Sequence, residues 1–438
     1  MKRFSKILIF LLLLFFPILS VHAEESVSDV FTDVKSKKNK TSWKSQHNVI
    51  EWNHFIASAK KQPDINFTKD PFKICLLSHT GGTTGTPKAV MVNDFAMNAV
   101  ADFYKHNFKF HSGEIWANVI IPFVIYGILN CLHMPLTLGL TVVLIPKFEA
   151  TEWKNYLLKY KFNYILAVPS YVNSLLEDES ISNMDLSNIL LCGVGGDGMN
   201  KEMEIALNKF LHEHGAKGEI LKGYGLSEVC ATAVTGLIGV NKIGSVGIPI
   251  THNNLMICEP ESFTELTYNK IGEICLQCPS RMIGYKNNEE ATQQLFRIHE
   301  DGSEWLHTGD LGYVDEDGFL FLVGRMKRII LTVKNGITYK VFPNMSEKVL
   351  DENESVIQSC IVGLTSGMDQ VLLAFIEVSK ENLLNKKEIE FELRSNCEKK
   401  LPSYARPAFY EFRDSFPLTP SGKIDYLALE KLAEDLNV

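Results

Sequence analysis

The sequence lacks a basic excess. Its 44 Lys and Arg stand against 52 Asp and Glu, a net charge of −8, so it has no surplus to neutralise a run of phosphates and nucleic acid is not the expected partner. It also lacks an even set of cysteines: nine are scattered through 438 residues, whereas an exported scaffold tends to pair them, so a reducing, cytoplasmic setting is expected. Cys275 and Cys278 have the spacing of half a zinc knuckle, but no matching Cys or His pair follows, and Ile274-Cys275-Leu276 reads as buried strand instead. There is no repeat of fixed period and no low-complexity tract. What is present, 45% hydrophobic, 22% charged and 10% aromatic residues, is the balance of a chain that buries cores. The length is about three times the ~150-residue prior for one domain, so more than one folding unit is expected.

Long apolar runs are absent except at the start. Lys2, Arg3 and Lys6 flank an unbroken apolar stretch from Ile7 to Phe16, and Val21-His22-Ala23 resembles a small-residue cleavage site. The run to Val21, interrupted by Pro17 and Ser20, is shorter than the ~20 residues that comfortably span a bilayer. Residues 1–23 are therefore read as a signal-peptide-like or anchor segment, with membrane contact through residues 7–21, export and burial of the segment all left open. Residues 24–70, polar and dotted with lysines, read as a linker or a partial N-terminal region.

From Phe72 onward, apolar runs such as Ile74–Leu77, Thr141–Ile145 and Tyr164–Val168 alternate with segments of helical spacing such as Glu152–Tyr160 and Lys201–His212. Such alternation predicts an α/β fold whose large N-terminal domain, residues 71–326, is made of mostly parallel sheets covered by helices. A second texture begins near Gly318. Strands at Phe319–Val323, Ser359–Leu364 and Val371–Val378 and a helix at Lys387–Lys400, with Gly324-Arg325 breaking the first strand, predict a small α+β C-terminal lid domain over residues 327–438.

The stretch from Ser78 to Lys88, directly after an apolar strand, carries three glycines, four threonines and a lysine. Glycines let backbone N–H groups approach an anion closely, hydroxyls add donors and the lysine adds charge, which together make a polyphosphate cradle. It is not the common nucleotide P-loop, because Thr86 and Pro87 stand where Gly and then Lys are required.

The stretch from Thr80 to Lys88, Gly223-Tyr224-Gly225-Leu226-Ser227-Glu228, Trp305-Leu306-His307-Thr308-Gly309-Asp310, Gly324-Arg325-Met326-Lys327 and Pro417–Asp425 occur in the order found in adenylate-forming enzymes. The chain resembles that superfamily of acyl-CoA synthetases, luciferases and AMP-binding adenylation domains, apparently shortened at the N-terminus. The resemblance implies an ATP-dependent acid:thiol ligase that makes an acyl-adenylate, releases pyrophosphate and passes the acyl group to a thiol of coenzyme A or of a carrier-protein phosphopantetheine. It implies that Thr80, Gly81, Gly82, Thr83, Thr84, Gly85 and Lys88 hold the phosphates and that Glu228, with Thr83, places Mg²⁺. Tyr224 would stack on adenine in the segment that includes Gly225 and Ser227, with Gly196 and Asp197 at the adenine edge. Asp310 and Arg325 would meet the ribose, Lys423 would stabilise the transition state and Lys327 would sit at the hinge.

Three positions depart from the superfamily's usual residues: Ala89 for Gly, Ser227 for Thr, and Met345 for Glu, although Glu347 remains. Pro122–Leu129 falls where the resemblance puts one wall of the acyl pocket, with a core strand equally compatible. No Asp or Glu occurs between Glu114 and Glu149 to pair with an ammonium group, which favours a fatty or aryl acid over an amino acid. A catalytically degenerate nucleotide-binding or interaction protein, and an amino-acid-adenylating carrier-protein ligase, are the alternatives.

Overall fold

The computed structural model describes residues 70–80, 88–145, 147–260, 263–334, 337–366, 369–418 and 424–436. The chain divides into two compact units, Met1–Cys75 and Leu76–Val438. The signal-like segment, its apolar run at residues 7–21 and nearly all of the linker lie outside the described residues. Among the described residues, no helix is long and apolar enough to cross a membrane.

Strand β1 (Ile74–His79) precedes β2 (Ala89–Asn93) and helix α1 (Asp94–Asn107). Asn93 starts that helix, its Oδ1 accepting from the Ala96 N–H at 2.8 Å, which satisfies one of the orphan donors of the first turn. Next come β3 (Ile115–Asn118), β4 (Thr141–Leu144), α2 (Trp153–Tyr160), β5 (Tyr164–Ala167), α3 (Pro169–Glu177), β6 (Leu191–Val194), α4 (Lys201–Glu213) and β7 (Ile220–Tyr224). Their strands lie in the order β4-β3-β5-β6-β7 and every neighbouring pair is parallel. All four residues of β5 and of β6 are buried, which is why they read as unbroken apolar runs rather than alternating ones. Trp153, Phe162, Leu175 and Leu207 pack into the core against this sheet. Two short strands, β8 (Val234–Thr235) and β9 (Ile248–Pro249), extend it in the antiparallel sense.

The second layer is antiparallel, an arrangement the strand–helix alternation did not announce. It contains β10 (Asn254–Cys258) and β11 (Gly272–Gln277), while β12 (Gly284–Tyr285) leaves to pair with β2. After α5 (Glu289–Leu295) it continues through β13 (Phe296–Ile298), β14 (Glu304–Val314) and β15 (Leu320–Arg325). β15 does not break at Gly324-Arg325. Both residues are still paired, with Leu311 and Asp310, and the chain leaves the ladder only at the turn Met326–Arg328.

Beyond that turn a separate five-stranded sheet forms from β16 (Ile330–Lys334), β17 (Ile337–Val341), β18 (Val356–Ser366), β19 (Asp369–Val378) and β20 (Phe409–Arg413). Helices α6 (Pro343–Leu350) and α7 (Lys386–Lys400) share one core with Ile361 and Ala374, while α8 (Tyr426–Asp435) shares another with Cys360 and Phe375. Consecutive residues of β18 and β19 thus serve opposite faces, as the period of two requires. Arg328 enters this unit directly after the turn. Its guanidinium donates to Glu347 Oε1 at 2.5 Å and to the Ile361 carbonyl at 3.4 Å, and lies 3.9 Å from the centroid of the Tyr426 ring.

The core-strand reading of Pro122–Leu129 is overturned. Ile125–Ile128 is α-helical and runs on through a π-helical turn, Leu129–His133, into Met134–Thr137. Phe123 is exposed, but from Ile125 to Pro135 the run is buried on nearly every side, and a short buried segment carries no periodicity to separate helix from strand.

Candidate active site

The glycine–threonine segment is closed at its base. Thr80 N–H donates to the Lys88 carbonyl at 2.9 Å, and Lys88 N–H returns a bond to Thr80 Oγ1 at 3.1 Å. Gly81, Gly82, Thr83, Thr84 and Gly85 lie outside the described residues.

What the clamped ends face comes from far along the chain. β12 pairs with β2 so that Tyr285 opposes Val90, and the Lys88 ammonium stands 4.7 Å from the Tyr285 ring centroid. The same tyrosine donates its hydroxyl to Glu228 Oε1 at 2.5 Å. Burial, followed by the Glu228 charge, pushes the Tyr285 phenol well above its ordinary range, so at neutral pH it remains a donor. Glu228 sits in the short turn Ser227–Val229, and its carbonyl accepts from Met282 N–H at 2.7 Å. That turn is strained, because Cys230 and Ala231 follow it at φ of 58° and 79°, a region costly for residues with a Cβ. Gly225 makes the tight return possible: a Cβ there would lie 1.6 Å from the Ala231 carbonyl oxygen.

A second group forms around Asp310. Tyr224 closes β7 with its side chain buried in the core beside Val229 and Val234, and its hydroxyl donates to Asp310 Oδ2 at 2.8 Å. Arg325 Nε lies 2.9 Å from Asp310 Oδ1, an arrangement that follows from the β14–β15 register, in which these two residues are partners. Burial and then the Asp310 charge push the Tyr224 phenol well above its ordinary range. The hydroxyl is therefore a permanent donor to the carboxylate, a role for Tyr224 that its place in the sequence did not suggest.

Gly196 and Asp197 follow the C-terminal end of β6, beside Tyr224 at the end of β7. Crevices at the carboxyl ends of parallel strands are where open α/β sheets take ligands. Asp197 Oδ1 accepts from Gly198 N–H at 2.8 Å. A Cβ built on Gly196 would stand 3.7 Å from the Tyr126 ring, so this part of the Pro122–Leu129 segment borders the crevice. Lys327 is exposed in the turn between β15 and β16. Lys423 lies outside the described residues, but the chain on either side of it is paired: Leu418 and Ile424 form an antiparallel bridge, and Asp425 N–H donates to the Pro417 carbonyl at 2.9 Å.

Sequence reasoning missed Tyr285, Glu273 and His307. Tyr285 carries no local signal, since its importance comes from pairing with a strand almost two hundred residues earlier. Cys275 does have acid and imidazole neighbours, Glu273 and His307, with potential ligand atoms within 4.8 Å of one another, whereas Cys278 is not in the group. These donors are bonded to each other: His307 Nδ1 is 2.8 Å from Glu273 Oε2 and 3.5 Å from Cys275 Sγ.

The sequence profile of the AMP-binding enzyme family matches residues 12–286, and that of the AMP-binding enzyme C-terminal domain matches residues 346–423. The chain belongs to the AMP-binding enzymes. Similar members include a long-chain-fatty-acid–CoA ligase of Bacillus subtilis (strain 168), 31% identical over 382 residues covering 85% of this chain and 65% of that protein. A 4-coumarate-CoA ligase of Narcissus pseudonarcissus is 32% identical over 365 residues, 81% of this chain and 64% of the other. The chain thus spans slightly less than two thirds of these relatives' length. Among solved structures, the o-succinylbenzoate CoA synthetase of Bacillus subtilis in complex with its acyl-adenylate intermediate superposes with a TM-score of 0.71 at 26% identity, covering 82% of this chain and 70% of that one. ATP-bound MatB from Rhodopseudomonas palustris shares the fold, with a TM-score of 0.78 at 19% identity, covering 88% of this chain and 73% of the other. The AMP-binding family assignment agrees with the order of motifs from Thr80 to Asp425.

Proposed function

We propose that this AMP-binding enzyme activates a carboxylic acid with ATP, forming an acyl-adenylate and pyrophosphate, and then transfers the acyl group to the thiol of coenzyme A. The observation that carries this is Tyr285, whose ring meets Lys88 at the end of the glycine–threonine segment and whose hydroxyl holds Glu228. A polyphosphate cradle and a carboxylate suited to a hard cation are thereby joined in one site.

A carboxylate is a poor nucleophile toward a dense anion, so the reaction needs charge neutralised and reactants held in line. Lys88 and the backbone of the cradle take the β- and γ-phosphates. Glu228 offers an oxygen donor that fits Mg²⁺, with Thr83 as a second candidate, and the ion when bound neutralises phosphate charge. Asp310, gripped by Tyr224 and Arg325, accepts hydrogen bonds from the ribose hydroxyls. Tyr224, Gly225 and Ser227 shape the adenine site, with Gly196 and Asp197 at the base's edge. Lys423 supplies a cation where charge accumulates between the acid and the α-phosphate, and Lys327 lies at the pivot that brings the C-terminal unit to and from the site.

A fatty or aryl acid is favoured as substrate. No acidic residue lies between Glu114 and Glu149 to meet an ammonium group, and the names of the Bacillus and narcissus relatives describe acids of those two kinds. A carrier-protein thiol as acceptor has less support, since the relatives quoted above are named for CoA. The test is acid-dependent exchange of labelled pyrophosphate into ATP across fatty, aryl and amino acids. Exchange with a fatty or aryl acid that falls at least a hundredfold in Lys423→Ala, roughly the scale of one removed electrostatic donor, is the expected result. Equal exchange in both proteins would remove Lys423 from its role, and ATP binding without exchange for any acid would replace the ligase by a catalytically degenerate nucleotide-binding protein.

A further inference from the structure

We infer that Glu273 is a positioning residue for the nucleotide's ribose, acting through the backbone of Gly309 to set the place of Asp310; this rests on the ribose role proposed for Asp310. The register between β11 and β14 is the starting point. Glu273 pairs with Leu311 and Cys275 with His307, so two steps along β11 correspond to four along β14, and Thr308-Gly309-Asp310 forms a bulge on the β11 side of that strand while Asp310 stays paired with Arg325 on the β15 side. Gly309 turns there at φ 70°, and a Cβ on it would meet nothing within 4 Å. The bulge is therefore not defined by packing at its apex and has to be held by hydrogen bonds.

Glu273 supplies the main one. Its Oε1 accepts from Gly309 N–H at 2.9 Å, and its Oε2 accepts from His307 Nδ1–H at 2.8 Å, so both oxygens grip residues on either side of Thr308. The two side chains are only 3% and 1% exposed. Thr308 completes the lock, with Oγ1 donating to the Ile274 carbonyl at 2.7 Å and accepting from Asp310 N–H at 3.1 Å. His307 is fixed in turn by the edge of the Phe263 ring, with centroids 4.8 Å apart, and by His299, whose Nε2 is 3.0 Å from its own.

A buried carboxylate is an expensive way to hold two strands together, because an apolar pair of similar volume usually does so at no loss of stability. Its advantage is directional: charge-assisted bonds are short and fix geometry. Here that geometry ends one residue from the carboxylate that Tyr224 and Arg325 also hold, so the three contacts define Asp310 from its backbone and from both side-chain oxygens. Hydrogen bonds to a carboxylate lose strength steeply with misplacement, so loosening Gly309 should weaken the bonds from the sugar hydroxyls and little else.

The experiment compares equilibrium binding of ATP and of 2′,3′-dideoxyATP to the full chain and to Glu273→Gln, an exchange that keeps the side chain's shape. The wild type should prefer ATP by roughly tenfold or more, the scale of a hydrogen bond to a charged group. In Glu273→Gln the preference should fall to about twofold, with dideoxyATP affinity nearly unchanged. A general loss of structure would weaken both nucleotides by the same factor, and that outcome, or a preference kept at the wild-type level, overturns the inference. Should Glu273→Gln fail to fold, Thr308→Val removes the neighbouring tether and must narrow the preference in the same way, or the inference falls. A wild-type chain without any preference would instead sink the assignment of Asp310 to the ribose.

Discussion

Replacing Tyr285 by Phe tests the link between phosphate cradle and carboxylate with the smallest possible change. The ring stays, so the Lys88 ammonium keeps its face at 4.7 Å; only the hydroxyl that donates to Glu228 at 2.5 Å is lost. Hydrogen bonds to charged groups are worth about 1.5–3 kcal/mol. Glu228 is half-buried, and water can partly replace the donor, which selects the lower end, about 1.5 kcal/mol, or roughly tenfold in rate. Measured as kcat/KM for Mg·ATP in pyrophosphate exchange, Tyr285→Phe should fall about tenfold. Tyr285→Ala also removes the ring under Lys88, adding about 0.5–1 kcal/mol and a further loss of roughly two- to fivefold. Because burial raises the phenol's pKa, the difference between wild type and Tyr285→Phe should be constant from about pH 6 to 9. A Tyr285→Phe protein within twofold of wild type would refute the reasoning, since Glu228 would then be placed by something else.

Three other outcomes follow from the geometry. Burial lowers His133 from 6.5 to about 4, so the fold holds it neutral while the unfolded chain takes up a proton below pH 6.5; the stability this provides is complete above that value and fades as pH drops toward 4. Urea unfolding at pH 7 and 4.5 should show wild type losing about 2–3 kcal/mol more than His133→Gln. Gly225→Ala places a Cβ 1.6 Å from the Ala231 carbonyl oxygen and should destabilise the chain by about 3 kcal/mol and abolish exchange, whereas Gly198→Ala, with nothing within 4 Å, should be silent in thermal melts. Arg328→Met leaves Glu347 buried without its partner and should cost about 3–5 kcal/mol in chemical unfolding, with Arg328→Met/Glu347→Leu recovering part of it.

Much of the fold was legible because its parts announce themselves locally. The runs at Thr141–Ile145 and Tyr164–Val168 became β4 and β5, and the periodic segment Lys201–His212 became α4 with one residue added. Of the antiparallel layer only pieces were legible, Ile274–Leu276 in β11 and Phe319–Val323, most of it in β15, since its order rests on β11 pairing with β14 rather than with β12, the strand that follows it in the chain. Pro122–Leu129 was ambiguous for a different reason, having no polar face to phase its turns. At the site, the motif order identified Tyr224, Glu228, Asp310 and Arg325, and the structure brings Tyr224, Asp310 and Arg325 into one hydrogen-bonded group. What no motif could show is how the parts are held: Tyr285 reaches Glu228 through the pairing of β12 with β2, and Glu273 reaches Gly309 through a bulge. Both are matters of register, a property of two segments at once.

The two arginines that bracket the Met326–Arg328 turn have a mechanical consequence. Arg325 is tied to Asp310 on one side and Arg328 to Glu347 and Tyr426 on the other, leaving Met326 and Lys327, in a turn closed by Ile329 N–H on the Met326 carbonyl at 3.2 Å, as the links between two bolted plates. Any swing of the last hundred or so residues must then be absorbed by the soft torsions of that pair. With Lys327 as the proposed hinge, such a joint would act as a swivel with a nearly fixed axle rather than as a slack leash, and lengthening it by a single glycine would loosen the axle.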